Sequence, residues 1–159
     1  TVHKHLSNLE VKGLIRKQQN LSRAIEVVPE SGNALSYPLM GEIAAGKPLE
    51  ALDQNEVVEL LPDGGDKDVF VLRVKGNSMI EDHIQSGDYV IVEKRNVAKN
   101  GETVVALIDN DRATLKRFYR ENGRVRLQPA HPDMKPIFVR EGDFTIQGVV
   151  ISVLRKFTK

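Results

Sequence analysis

Ser78 and Lys116 are two side chains of this sequence whose types could together make an acyl-transfer centre. A serine hydroxyl is a poor nucleophile at neutral pH and needs a base to take its proton. Histidine is the usual partner, but a neutral lysine solves the same problem. In water, only roughly a few lysines per ten thousand are neutral at pH 7. Burial disfavours the ammonium form, lowers the pKa and makes the amine a usable base. Lys116 stands in the strand-like run Ala113-Thr114-Leu115-Lys116-Arg117-Phe118, with Phe118 on its own face. Ser78 stands in Lys75-Gly76-Asn77-Ser78-Met79, just after the apolar run Val69-Phe70-Val71-Leu72. Gly76 permits a tight turn there, and the backbone N–H groups of Asn77 and Ser78 are the candidate oxyanion donors. His83, close to Ser78 in the chain, is the rival base. Taken singly, the pieces read more readily as a strand-end turn and a surface lysine on a hairpin.

The elements that must bring these residues together are mostly strands. Period-two or short apolar runs occur at Glu56 to Leu60, Val69 to Val74, Tyr89 to Val92 and Thr103 to Ile108. Further runs follow at Thr114 to Tyr119, Val125 to Gln128, Ile137 to Arg140 and Phe144 to Leu154. Turns rich in Gly, Asp and Asn separate them, which predicts a mainly β fold, an antiparallel barrel or folded sheet. Met79 and Ile84 read as core residues, and Gly87-Asp88 as a turn. The beginning of the chain differs. Val2, Leu6 and Leu9 mark one face of a helix that Gly13 ends, followed by two short strands joined at Gln18-Gln19-Asn20. Helix and basic hairpin together have the form of the end of a winged helix-turn-helix, and equally of any small α-β motif. Pro29 to Ala34 has linker composition. The expected organisation is therefore 1–28, a linker at 29–37, and a mainly β body at 38–159, an α+β chain overall.

Composition narrows the function classes. With 40% hydrophobic and 28% charged residues, the 159-residue chain has ordinary globular make-up and enough length for a real core. The absence of cysteine excludes disulfides, thiolate metal sites and a cysteine nucleophile. Its 4 histidines are scattered without metal-ligand spacing, so neither a metal nor another cofactor is expected. No apolar run is long enough to span a bilayer and no signal peptide is visible, so the expected location is cytoplasmic, away from membranes. The formal charge of +1 hides an asymmetry: residues 1–28 hold Lys4, Lys12, Arg16, Lys17 and Arg23 against Glu10 and Glu26 only. A basic end on a slightly acidic body points toward nucleic acid.

One further stretch completes a pattern. Gly41-Glu42-Ile43-Ala44-Ala45-Gly46-Lys47-Pro48-Leu49 stands ahead of Gly76-Asn77-Ser78-Met79, the run Ile84 to Val92, and Thr114-Leu115-Lys116-Arg117. In this order, the combination resembles the LexA family of self-cleaving bacterial repressors, and the resemblance runs from the first helix to the last strand. It implies that a Ser78-Lys116 dyad cuts the chain's own Ala45-Gly46 bond within a cleavage segment at 41–49. Small residues there suit a narrow groove, and Gly46 lets the backbone bend. It also implies control by a RecA filament on single-stranded DNA, release of SOS repair genes, and a homodimer formed through the body with the last strand, Thr145 to Leu154, as a contributor. Double-stranded operator DNA is the implied ligand of the first 28 residues. Thr1, His3 and Lys4 would face base edges, and Ser7, Arg16 and Arg23 the phosphates. Thr1 falls inside the implied recognition helix, so the two helices that precede it in the family lie outside this sequence. With the cleavage segment away from the dyad, Lys116 is expected to stand partly open to water, and spontaneous cleavage to level off only around pH 10. The rival readings are a related phage repressor, an accessory subunit of a lesion-bypass polymerase, which would lack the helix and wing, and a signal peptidase, which would need a membrane anchor.

Overall fold

The computed structural model describes residues 1–11, 15–17, 25–27, 35–44, 57–60 and 68–157. The chain divides into two compact units, residues 1–35 with 59–64, and residues 36–58 with 65–159. In the first, helix α1 (Val2–Val11) is followed by strands β1 (Ile15–Lys17) and β2 (Ile25–Val27), paired antiparallel with Arg16 opposite Glu26. The carbonyl of Thr1 accepts from the N–H groups of Lys4 and His5, which starts the helix. No residue of α1 is buried; Leu6 is half-buried and Leu9 is open on the same stripe.

The second unit carries most of a nine-stranded sheet. Its strands are β3 (Leu35–Ala44), β4 (Val57–Leu60), β5 (Val69–Lys75), β6 (Tyr89–Glu93), β7 (Thr103–Ile108), β8 (Arg112–Glu121), β9 (Arg124–Gln128), β10 (Ile137–Arg140) and β11 (Phe144–Leu154). They lie in the order β10-β9-β8-β7-β11-β6-β5-β3-β4. The mainly β expectation holds, and eight of these strands fall where the apolar runs placed them. Two features differ. The order is open, a folded sheet and not a closed barrel, and β3 runs parallel to β5, whereas β5 to β11 pair antiparallel. β3 also begins inside the stretch read as linker and takes in the first four residues of the proposed cleavage segment.

Strand β11 joins the two halves. Phe144 to Val149 pair with β7, and Val149 to Leu154 pair with β6. Register shifts occur at Ile146/Gly148 and at Val150/Ser152, where bulges increase the local twist. Gly148 is required at the first: a Cβ there would lie 2.5 Å from the carbonyl oxygen of Glu93 and 2.5 Å from a Val92 methyl. Alternation along each strand then feeds two cores. One holds Leu72, Val74, Met79, Ile84, Val105 and Leu115; the other holds Val104, Ala106, Phe118, Val125, Leu127 and Val149. Neighbouring residues of β7 enter different cores, so Val104, Val105 and Ala106 are all fully buried.

Candidate active site

Ser78 lies on the connection from β5 to β6. The chain leaves β5 through Gly76, whose φ of +91° belongs to the left-handed region that side chains disfavour. It then winds through a single 3-10 turn at Ile80–Asp82 and leaves it through His83, also left-handed at φ 61°. Buried Met79 and Ile84 anchor the loop in the core, joined by the bond from the Ile84 N–H to the Met79 carbonyl. Two further bonds pin it to the segment after β9. The Ala130 N–H donates to the Ser78 carbonyl and the Glu81 N–H to the Ala130 carbonyl, each at 2.9 Å. Across the neck, the Gly76 N–H donates to Ser86 Oγ and the Ser86 N–H to Asn77 Oδ1, both at 3.1 Å. Ser78 is thereby held half-buried between an exposed Asn77 and a buried Met79. Among the described residues, no acceptor stands against the backbone N–H of Asn77 or of Ser78.

Lys116 comes from the middle of β8, opposite Val104 of β7. It is 1% exposed, and its ammonium nitrogen Nζ donates to Ser78 Oγ at 2.9 Å and to the Leu115 carbonyl at 2.9 Å. Among the described residues, no carboxylate lies within ion-pair distance of it. A buried cation without a counter-charge is strongly disfavoured. Desolvation accordingly lowers the Lys116 pKa from 10.5 to about 8. The lysine is buried here because strand β8 carries its side chain inward; the expectation of a partly open lysine applies to an undocked cleavage segment, whose Ala45 and Gly46 lie outside the described residues. His83 is exposed, makes no side-chain hydrogen bond to Ser78 or Lys116 among the described residues, and its backbone carbonyl accepts from Arg155.

Three contacts that sequence reasoning missed brace this geometry. Arg117, next to Lys116, makes a two-pronged ion pair with Asp82 of the 3-10 turn, with Nε 2.8 Å from Oδ2. It ties the strand bearing the amine to the loop bearing the hydroxyl. Buried Asp88, where the loop enters β6, accepts from the Gln85 N–H and from both prongs of Arg155. The Arg155 guanidinium holds its carboxyl below the usual range. The third is the Ala130 pair of backbone bonds. These partners lie 35 and 67 residues apart in two of the three cases, so no local pattern announces them.

The register of β3 brings its last residues alongside the end of β5. Leu39, Gly41 and Ile43 are buried in alternation, and Ala44 lies opposite Lys75, three residues ahead of Ser78. Ala45 and Gly46 themselves lie outside the described residues. A buried amine 2.9 Å from a hydroxyl on a tight turn, with a chain segment delivered alongside, has the parts of an intramolecular peptidase.

Comparison with known proteins agrees with that chemistry. The profile of the Peptidase S24-like family matches residues 38–151. The LexA repressor of Koribacter versatilis is 47% identical across 99% of this chain and 80% of its own length. That of Syntrophotalea carbinolica is 46% identical over 99% of this chain and 78% of its own, and that of Bacillus subtilis 44% over 98% and 78%. The chain belongs to the LexA repressor family. The residues that the LexA resemblance assigned to DNA lie in the other unit. Thr1 precedes α1, and His3, Lys4 and Ser7 are exposed on it, with the Ser7 hydroxyl donating to the His3 carbonyl at 3.0 Å. Arg16 lies on β1, and Arg23 is outside the described residues. Among the described residues of this LexA-family chain, no helix is long and apolar enough to cross a membrane.

Proposed function

We propose that this chain is a repressor of DNA-damage genes that inactivates itself by cutting its own Ala45-Gly46 bond. The observation that carries the reading is the 2.9 Å approach of the buried Lys116 Nζ to Ser78 Oγ. With a pKa of about 8, about one Lys116 in ten is neutral at pH 7. That neutral amine takes the Ser78 proton while its own N–H remains bonded to the Leu115 carbonyl. The Ser78 oxygen attacks the Ala45 carbonyl carbon, and the backbone N–H groups of Asn77 and Ser78 face the developing oxyanion. Lys116 then gives its proton to the departing Gly46 amine. The resulting Ser78 ester of Ala45 is hydrolysed by water, with Lys116 again the base. Because the substrate is tethered, proximity needs no external binding energy.

Cleavage parts residues 1–45 from the body, so the operator-binding end, formed by 1–28 with Thr1, His3, Lys4, Ser7, Arg16 and Arg23, loses its dimeric partner. A RecA filament on single-stranded DNA accelerates the reaction by binding the docked segment better than the undocked one. The relatives' repressor names and their alignment across residues 1–28 favour this over the polymerase accessory subunit. The test is an incubation of the purified chain at pH 7 and pH 10 with mass spectrometry of the products. A new amino terminus at Gly46, absent in Ser78→Ala and in Gly46→Asp, is expected; a cut elsewhere, or cleavage that survives Ser78→Ala, overturns the reading.

A further inference from the structure

Strands β8, β9 and β10 turn one side to the core and the other outward. Phe118, Val125, Leu127 and Val139 fill the inner side. Alternate residues on the outer side are Arg117 and Tyr119 of β8, Arg124 and Arg126 of β9, and Phe138 and Arg140 of β10. Their registers make them neighbours: Tyr119 and Phe138 both lie opposite Arg126, and Arg140 lies opposite Arg124. The Arg126 guanidinium lies 4.3 Å from the centre of the Tyr119 ring, and that of Arg124 4.4 Å from the Phe138 ring. Phe138 is 47% exposed, although it is a large apolar ring on a strand. Two carboxylates accompany the four arginines: Asp82 pairs with Arg117, and Glu121 pairs with Arg126 and feels Arg124. Arg140 has no carboxylate within ion-pair distance among the described residues. Two arginines directly opposite each other on an open face repel, a cost that an anion lying between them removes.

We propose that this face binds single-stranded nucleic acid. The body outside residues 1–28 is slightly acidic, so a concentrated positive face on it selects a polyanion by local charge and not by net charge. Interleaved rings and guanidinium planes on one face of a sheet are suited to stacked, unpaired bases, which a duplex keeps inside. The strands are about 4.8 Å apart, so three of them span about 10 Å, the reach of about two extended nucleotides. Phosphates then fall toward Arg124 and Arg140, and a base toward the open side of Phe138. An acidic protein would satisfy the charges but leave the exposed ring unexplained. This inference does not rest on the self-cleavage reading, since none of the groups it uses for stacking or phosphate contact touches Ser78 or Lys116.

The experiment uses the whole chain and a fluorescently labelled oligothymidylate, with a duplex of equal length and poly-glutamate as comparators, across a range of salt. Binding to oligothymidylate is expected, weakened about tenfold by Phe138→Ala through loss of one stacked base. Arg140→Gln, a change at an exposed site that leaves the fold undisturbed, is expected to flatten the salt dependence by about 0.7 in the log–log slope. Both variants should self-cleave like the parent when no nucleic acid is present. Absence of oligothymidylate binding at low salt, or parent-like binding by both variants, overturns the proposal. So does an equal loss of duplex binding in Phe138→Ala, and so does tighter binding of poly-glutamate that Arg140→Gln weakens.

Discussion

Lys116 and Ser78, 38 residues apart in the chain, meet at 2.9 Å with the lysine 1% exposed. The same burial that makes the amine a base is a burden on the fold. The folded pKa of about 8 lies below the unfolded value of 10.5, so between those limits the unfolded chain binds the extra proton. Stability contributed by this group therefore rises from pH 8 to pH 10.5 and is lowest below pH 8. Lys116→Met, which fills the site without a charge, is expected to abolish self-cleavage and to stabilise the chain at pH 7 by up to about 3 kcal/mol. That advantage should vanish above pH 10.5. Urea unfolding of parent and variant at pH 7 and pH 10.5 checks it; an unchanged or lowered stability at pH 7 would show that the lysine is well solvated.

The first-order rate of self-cleavage should rise about tenfold per pH unit up to pH 7 and level off near pH 8, following neutral Lys116. A plateau close to pH 10 would place the reacting amine in water, as the sequence alone had suggested. A plateau at about 6.5 that His83→Ala removes would transfer the base to the histidine. Rates from pH 6 to pH 11 separate the three outcomes.

The Arg117–Asp82 pair is a positioning contact between the lysine strand and the serine loop. Both side chains are partly solvated, so Asp82→Ala should cost the fold about 1 kcal/mol or less. Its effect on self-cleavage should be larger, about tenfold to a hundredfold, because a small shift of Ser78 against Lys116 is felt in the reaction rate. Arg117→Ala should behave alike, and the double variant should be no slower than either single one. Rates that fall only in proportion to lost stability, or that multiply in the double variant, would reduce the pair to an ordinary surface bridge.

Gly148 lies where β11 passes from one neighbour to the other. Gly148→Ala sets a methyl 2.5 Å from the Glu93 carbonyl oxygen, and that backbone cannot retreat without opening the β6–β11 ladder. A loss of about 1–3 kcal/mol is expected from the overpacking. Thermal unfolding should register it as a lower midpoint; a midpoint equal to the parent's would mean that the bulge relaxes freely.

Much of the architecture was legible without coordinates. Eight strands of the sheet, the first helix and the hairpin show in local apolar patterning, because alternation and helical spacing are properties of neighbouring residues. Ser78 and Lys116 could be singled out by type and context, and Met79 and Ile84, apolar residues in a polar loop, read as core and are buried. β3 escaped notice although Leu39, Gly41 and Ile43 alternate, since Pro38, Gly41 and Gly46 punctuate the segment like a loop. Its parallel pairing with β5 joins residues about thirty apart through a register that no local signal specifies. The burial of Lys116 belongs to the tertiary level for a related reason. A pKa reflects the solvation lost to every surrounding atom, and those atoms come from strands and loops spread along the chain. The Arg117–Asp82 and Arg155–Asp88 braces are likewise products of the fold. Sequence determined which residues were capable of the chemistry; long-range packing decided that the amine is dry, uncompensated and within reach of the hydroxyl.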